Sequence, residues 1–205
     1  MLIGIDFDNT IAGYDRAFAA EAARRGLIPV GEHASKRSIR ARLRELPDGE
    51  REWMAIQGQV YGARMGEAEL IEGVAGFLAG CGARDIKVTV ISHKTRHGHF
   101  DPARVDLRVA AKRWMADQGF FDADGFGLDA SAVFFEDTRE AKVARIAACG
   151  CDVFIDDLEE VLTHPDFPPA TARHLFHPDP GPLPAGPFTA HRHWAGLSDD
   201  ILSAT

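Results

Sequence analysis

The sequence predicts a doubly wound α/β fold, a parallel sheet flanked by helices, with a small helical insertion. Short, almost continuous apolar runs rich in β-branched and aromatic residues alternate with segments of helical periodicity. Several of those runs stop at polar or acidic residues, as strands do when they end together at one rim of a parallel sheet. One connection, from Thr10 to Ile86, is far too long for an ordinary strand-to-helix turn, yet most of it reads as helical.

The elements follow in chain order. Leu2–Ile5 is the first strand, and Ile86–Ile91, Ala132–Phe135 and Asp152–Ile155 are the next three. Each is apolar on both faces, as expected of strands covered on two sides. Arg173–Phe176 is a fifth, less apolar candidate. Between the second and third strands, Asp101–Gly119 repeats apolar residues at helical spacing (Val105, Val109, Trp114), and Gly119 suits its stop. Arg139–Ala148 is Ala-rich and ends before Gly150.

The long connection contains helical stretches at Arg16–Arg25, Ser35–Leu46, Arg51–Met65 and Glu67–Gly80, broken at Gly26, Pro29, Pro47-Asp48-Gly49 and Gly66. This gives a helical cap at residues 13–79 and a core at residues 1–12 and 80–205. The last cap helix, with Val74, Phe77 and Leu78, is expected to return to the core. Residues 164–187 are punctuated by prolines and read as an irregular connection around the fifth strand. Phe188, Trp194, Leu197 and Ile201 then suggest a C-terminal segment that packs back.

Composition narrows the function. A net charge of −8 argues against broad binding to nucleic acid. No run approaches the roughly 18 apolar residues of a membrane span, so no membrane partner is expected. The first residues start directly in a strand pattern with no secretory signature. Cys81, Cys149 and Cys151 read as reduced thiols, which suits a cytoplasmic location. Oligomeric state is not legible.

Chemistry concentrates at the strand ends. Ile5-Asp6-Phe7-Asp8-Asn9-Thr10 places two carboxylates where a buried strand stops. Desolvating carboxylates is costly, and a hard cation would offset that cost; a helix-capping turn is the alternative reading of Asp8-Asn9-Thr10. The second strand ends at Ser92, the fourth at Asp156-Asp157, and Lys142 lies near the start of the helix after the third. In a parallel sheet these groups converge on one crevice.

This set, Asp6-x-Asp8-x-Thr10, Ser92, Lys142 and Asp156-Asp157, resembles the four motifs of the haloacid dehalogenase (HAD) superfamily. A cap inserted between the first and second motifs is similar to a common arrangement in that family. The resemblance implies a Rossmann-like core and a magnesium-dependent phosphatase acting on a small phosphorylated metabolite. Asp6 would be the nucleophile, passing through an aspartyl-phosphate, and Asp8 the general acid and base. Asp6, Asp8 (through its carbonyl), Asp156 and Asp157 would hold Mg2+, and Thr10 would orient the loop. Ser92 and Lys142 would bind phosphate, with Lys94 as a competing lysine, and Asn9 and His93 are further phosphate-binding candidates. A phosphomutase, or a binding or regulatory module with little catalysis, remains the alternative.

Other constellations carry less. His97-Gly98-His99 and His191-Arg192-His193 have no partner ligands at standard zinc spacing. Arg37, Arg40 and Arg44 share a helix face that either binds a second anionic group or is a solvated surface.

Overall fold

The structure, a computed structural model, describes residues 1–32 and 34–203. The elements are β1 (Leu2–Ile5), β2 (Ala12–Gly13), α1 (Asp15–Arg24), α2 (Lys36–Arg44), α3 (Gly49–Tyr61), β3 (Glu69–Leu70), α4 (Val74–Ala83) and β4 (Lys87–His93). They continue with α5 (Leu107–Asp117), β5 (Val133–Glu136), α6 (Arg139–Cys149), β6 (Val153–Asp156), α7 (Glu159–Leu162), β7 (Ala172–Phe176), β8 (Thr189–His191) and α8 (Trp194–Leu202). Six strands form one sheet in the order β5-β4-β1-β6-β7-β8, while β2 and β3 make a separate two-stranded sheet. The ladders of the large sheet are parallel. This is the Rossmann-like α/β architecture expected from the apolar runs.

β1 lies inside the sheet, and Ile3 and Ile5 are fully buried. Its Gly4 answers a packing demand. A Cβ there would stand 2.5 Å from the Phe154 ring and 2.9 Å from the Cys151 sulfur. The sixth strand, β8, lies just past the proline-rich stretch, where the sequence reading expected no strand. With three residues and no apolar run, it has no signal of its own. Its backbone is ordered by the ladder to β7, with Phe176 opposite His191.

The chain divides into two compact units. The first comprises Met1–Ala12, Leu70–Lys94 and the chain from Gly119 onward; the second comprises Gly13–Glu69 and Thr95–Gln118. Residues 70–79, placed in the cap by the sequence reading, group instead with the core strands, because the apolar α4 belongs to that unit. Residues 95–118, expected in the core, group instead with the inserted helices. The cause is local and steric. Gly58 of α3 and Gly98 meet so closely that a Cβ on Gly98 would be 2.4 Å from the Gly58 Cα. The Gln59 amide donates to Asp101 at 3.0 Å, and the Trp114 indole donates to the Ala68 carbonyl at 3.1 Å.

Two helix boundaries also differ from the expected ones. α5 begins at Leu107 rather than near Asp101, because Asp106 caps it by accepting from the Arg108 and Val109 N–H groups. Asp101 serves the preceding loop, accepting from the N–H groups of Ala103 and Val105. The stretch expected as one helix over Glu67–Gly80 is β3 followed by α4, which starts after Gly73 in a left-handed conformation. Among the described residues no helix is long and apolar enough to cross a membrane.

Candidate active site

The site is built on the core unit, from the ends of β1, β4 and β6 and the first turns of α6. Asp6 directly follows β1, and its N–H still donates to Ile155 O at 2.9 Å. The ladder is therefore intact up to the carboxylate. The chain then turns sharply. Phe7 O accepts from the N–H groups of both Ile11 and Ala12 at 3.0 Å, with Asn9 at φ 60°. Asparagine tolerates that left-handed conformation better than most residues. Thr10 Oγ1 lies 3.4 Å from Asp6 Oδ2, and Thr10 O accepts from the Trp194 indole at 3.1 Å.

Lys142 sits one turn into α6, which Thr138 caps by accepting from the Ala141 N–H. Helical side chains lean toward the N-terminus, so this lysine reaches back to the rim of the sheet. Its ammonium is 2.6 Å from Asp6 Oδ1 and 2.6 Å from Asp156 Oδ2, with the side chain only 1% exposed. Asp156, the last residue of β6, is fully buried. Its Oδ1 accepts from the Leu158 N–H at 3.0 Å, whereas Oδ2 has the ion pair with Lys142 but no well-directed hydrogen bond. Burial is the main force lifting the Asp156 carboxyl, to about 6; the Asp6 charge adds to it and Lys142 opposes it. Burial disfavours the Lys142 cation, but Asp156 and Asp6 outweigh that, so its ammonium is held more firmly than usual.

Ser92 and Lys94 are buried and His93 between them is exposed. The Lys94 ammonium grips Asp8 through both carboxylate oxygens, at 2.8 and 2.7 Å. Each lysine also lies over an aromatic ring, Lys94 5.5 Å from the centre of Phe7 and Lys142 5.6 Å from that of Phe154. The Asn9 amide donates to Asp157 Oδ2 at 3.2 Å, tying the loop after β1 to the end of β6. The His93 ring is 3.0 Å from the Asp137 carbonyl oxygen.

Asp6, Asp156 and Asp157 each offer a carboxylate oxygen, all within 4.8 Å of one another. Asp8 is absent from that group; its side chain is committed to Lys94. The all-oxygen donors suit a hard divalent cation. So does the charge. Four carboxylates (Asp6, Asp8, Asp156, Asp157) face two ammonium groups, leaving two negative charges in excess. The residues present thus fit a magnesium ion held by Asp6, Asp156 and Asp157.

The sequence located the lysine that contacts Asp6, Lys142, but gave Lys94 only as its competitor and missed its grip on Asp8. The signal was available. Side chains alternate along a strand, so a lysine two residues after the buried Ser92 emerges on the same face. On the second unit, Arg40 and Arg44 both pair with Glu50, which favours the solvated-surface reading of that helix.

The fold is that of solved HAD-superfamily hydrolases, many of which align over almost the whole chain at low sequence identity. A HAD hydrolase from Entamoeba histolytica aligns with a TM-score of 0.59 at 10% identity, covering 99% of this chain and 97% of that one. A phosphoserine phosphohydrolase-like protein from Francisella tularensis gives 0.56 at 12% identity, covering 97% and 98%. A HAD family hydrolase from Deinococcus radiodurans, solved with bound phosphate and sodium, gives 0.55 at 14%, covering 99% and 95%. No protein-family model matches the chain, and no curated protein matches it in sequence.

Proposed function

We propose that the chain is a magnesium-dependent phosphatase that hydrolyses a small phosphate monoester through a phosphorylated Asp6. The observation that carries this reading is the Lys142 ammonium bridging Asp6 and Asp156, with Asp157 beside them and Asp8 two residues along. An acid nucleophile, a cation that neutralises it and an all-oxygen metal cluster are the parts phosphoryl transfer needs. The phosphate found in the Deinococcus radiodurans neighbour supports the substrate class.

In this reading a carboxylate oxygen of Asp6 attacks phosphorus as the bond from phosphorus to the leaving oxygen breaks; Asp8, which takes up a proton when the anionic substrate binds, gives it to that oxygen. Water then attacks the phosphorus, Asp8 takes the proton back, and the bond to Asp6 breaks to release inorganic phosphate. Lys142 offsets negative charge on Asp6 and on the incoming phosphoryl group, which Ser92 also binds. Lys94 fixes the position of the Asp8 carboxylate; Asn9 holds Asp157 in place. The bound Mg2+ supplies charge neutralisation that lets an anionic phosphate approach an anionic nucleophile.

The test is phosphate release from an aryl phosphate with and without Mg2+. Turnover is expected only with the metal, and Asp6→Asn should lower it by about 10⁴-fold or more, the scale seen when a covalent nucleophile is removed. Undiminished release by purified Asp6→Asn protein would dismiss the assignment.

A further inference from the structure

We propose that His174, His191 and Asp200 form a second metal site, for a transition-metal ion of the Zn2+ type, separate from the carboxylate cluster. The edge of the sheet builds it. Phe176 is opposite His191 in the ladder, and strand side chains alternate, so His174 emerges on the same face as His191. Asp200 comes from α8. His174 Nδ1 lies 3.1 Å from His191 Nε2, the rings are stacked at 19°, and Asp200 Oδ2 lies 3.5 Å from that same Nε2. The sequence reading found no partner ligand for His191-Arg192-His193 at zinc spacing; His193 is exposed, and the partner of His191 is His174 on the neighbouring strand.

Counting protons shows that one hydrogen cannot serve every contact within the trio. A neutral imidazole has one N–H. If His174 Nδ1 carries it and donates to His191 Nε2, that nitrogen faces the Asp200 carboxylate with no hydrogen between them. If His191 Nε2 carries it, one hydrogen must serve both His174 Nδ1 and Asp200 Oδ2. A metal ion partners all three atoms at once.

The distances agree. A tetrahedral ion with bonds of about 2.0–2.1 Å sets neighbouring donor atoms about 3.4 Å apart. Two of the three separations, 3.1 and 3.5 Å, bracket that value, and the three residues' ligand atoms all lie within 4.8 Å of one another. His174 and His191 are only 9% and 8% exposed, and it is the neutral imidazole that binds metal. The Asp200 side chain is half exposed, leaving a solvent side for water as fourth ligand. Two nitrogens and one oxygen favour zinc or cobalt over magnesium, the reverse of the Asp6, Asp156 and Asp157 donors.

The experiment titrates metal-stripped protein with Zn2+ by calorimetry and with Co2+ by visible absorption. The parent chain and four variants are compared: Asp6→Asn, His191→Gln, Asp200→Ala and His193→Gln. One Zn2+ equivalent and a four-coordinate Co2+ spectrum should persist in Asp6→Asn and His193→Gln. Both should vanish in His191→Gln, and Asp200→Ala should weaken Zn2+ by at least the roughly 10- to 100-fold that losing even a supporting partner of a metal ligand costs. Asp200 is half exposed, so its variant reports even if His191→Gln does not fold. Unchanged zinc binding in Asp200→Ala, or no zinc equivalent in Asp6→Asn, would overturn the proposal.

Discussion

The acidic rim at the ends of β1 and β6 and the imidazole pair of β7 and β8 are both buried polar clusters on one sheet, and they meet the cost of burial in opposite ways. The rim keeps its charges and opposes them with buried ammonium groups, Lys142 at 1% and Lys94 at 3% exposure. The imidazole pair gives up charge, with burial lowering both histidines. Charge is retained where phosphoryl chemistry would use it. Removing one member of the rim should therefore be far more damaging than removing one imidazole.

The largest effect expected is on catalysis. Asp8→Asn removes proton transfer in both half-reactions while leaving Asp6, Asp156 and Asp157 in place, and should lower kcat by about 10²- to 10⁴-fold. Mg2+ affinity, measured by calorimetry, should stay near the parent value. A matching collapse of Mg2+ binding would instead make Asp8 part of the metal shell.

Lys142→Met tests the charge account directly. It leaves Asp6 and Asp156 close together with their shared cation gone, and losing one partner of a buried ion pair costs about 3–5 kcal/mol. Denaturant unfolding should show that loss in the metal-free protein, and Mg2+ should recover more stability in the variant than in the parent. If Mg2+ recovers nothing, the metal and Lys142 do not neutralise the same carboxylates.

Lys94→Met leaves that pair intact and frees Asp8 from its two-point grip. Small misplacements of a reacting group can cost about 10²-fold, so kcat should fall on that scale with KM little changed. Lys94→Arg, which keeps the charge and two-point bonding, should recover part of the rate. A rise in KM with kcat preserved would place Lys94 on the substrate phosphate, the role considered from sequence.

How much of this was legible depended on what each feature rests on. The strands of the core announced themselves because burial on both faces demands continuous apolar runs. Asp6, Asp8, Ser92, Asp156 and Asp157 were legible because they sit where those runs stop, and Lys142 because it lies near the start of the helix that follows one of them. β8 was not, since three residues between prolines and Trp194 take their conformation from β7 rather than from their own preferences. The grouping of residues 95–118 with the inserted helices was equally hidden. It depends on Gly58 and Gly98 meeting without side chains, a contact across a long separation that periodicity cannot register. The pairing of His174 with His191 has the same cause, because strand register creates it.

The smallest effect brings the comparison back to the imidazoles. His174→Gln, in metal-free protein at neutral pH, removes an uncharged partner from His191 and leaves one buried polar group less well bonded. Such a loss costs about 1–3 kcal/mol, below the value expected for Lys142→Met. The two variants can be measured side by side by denaturant unfolding, with the parent as reference. If His174→Gln proved the more damaging, burial of charge would not be what distinguishes the two clusters, and the two-lysine balance at the acidic rim would lose its explanation.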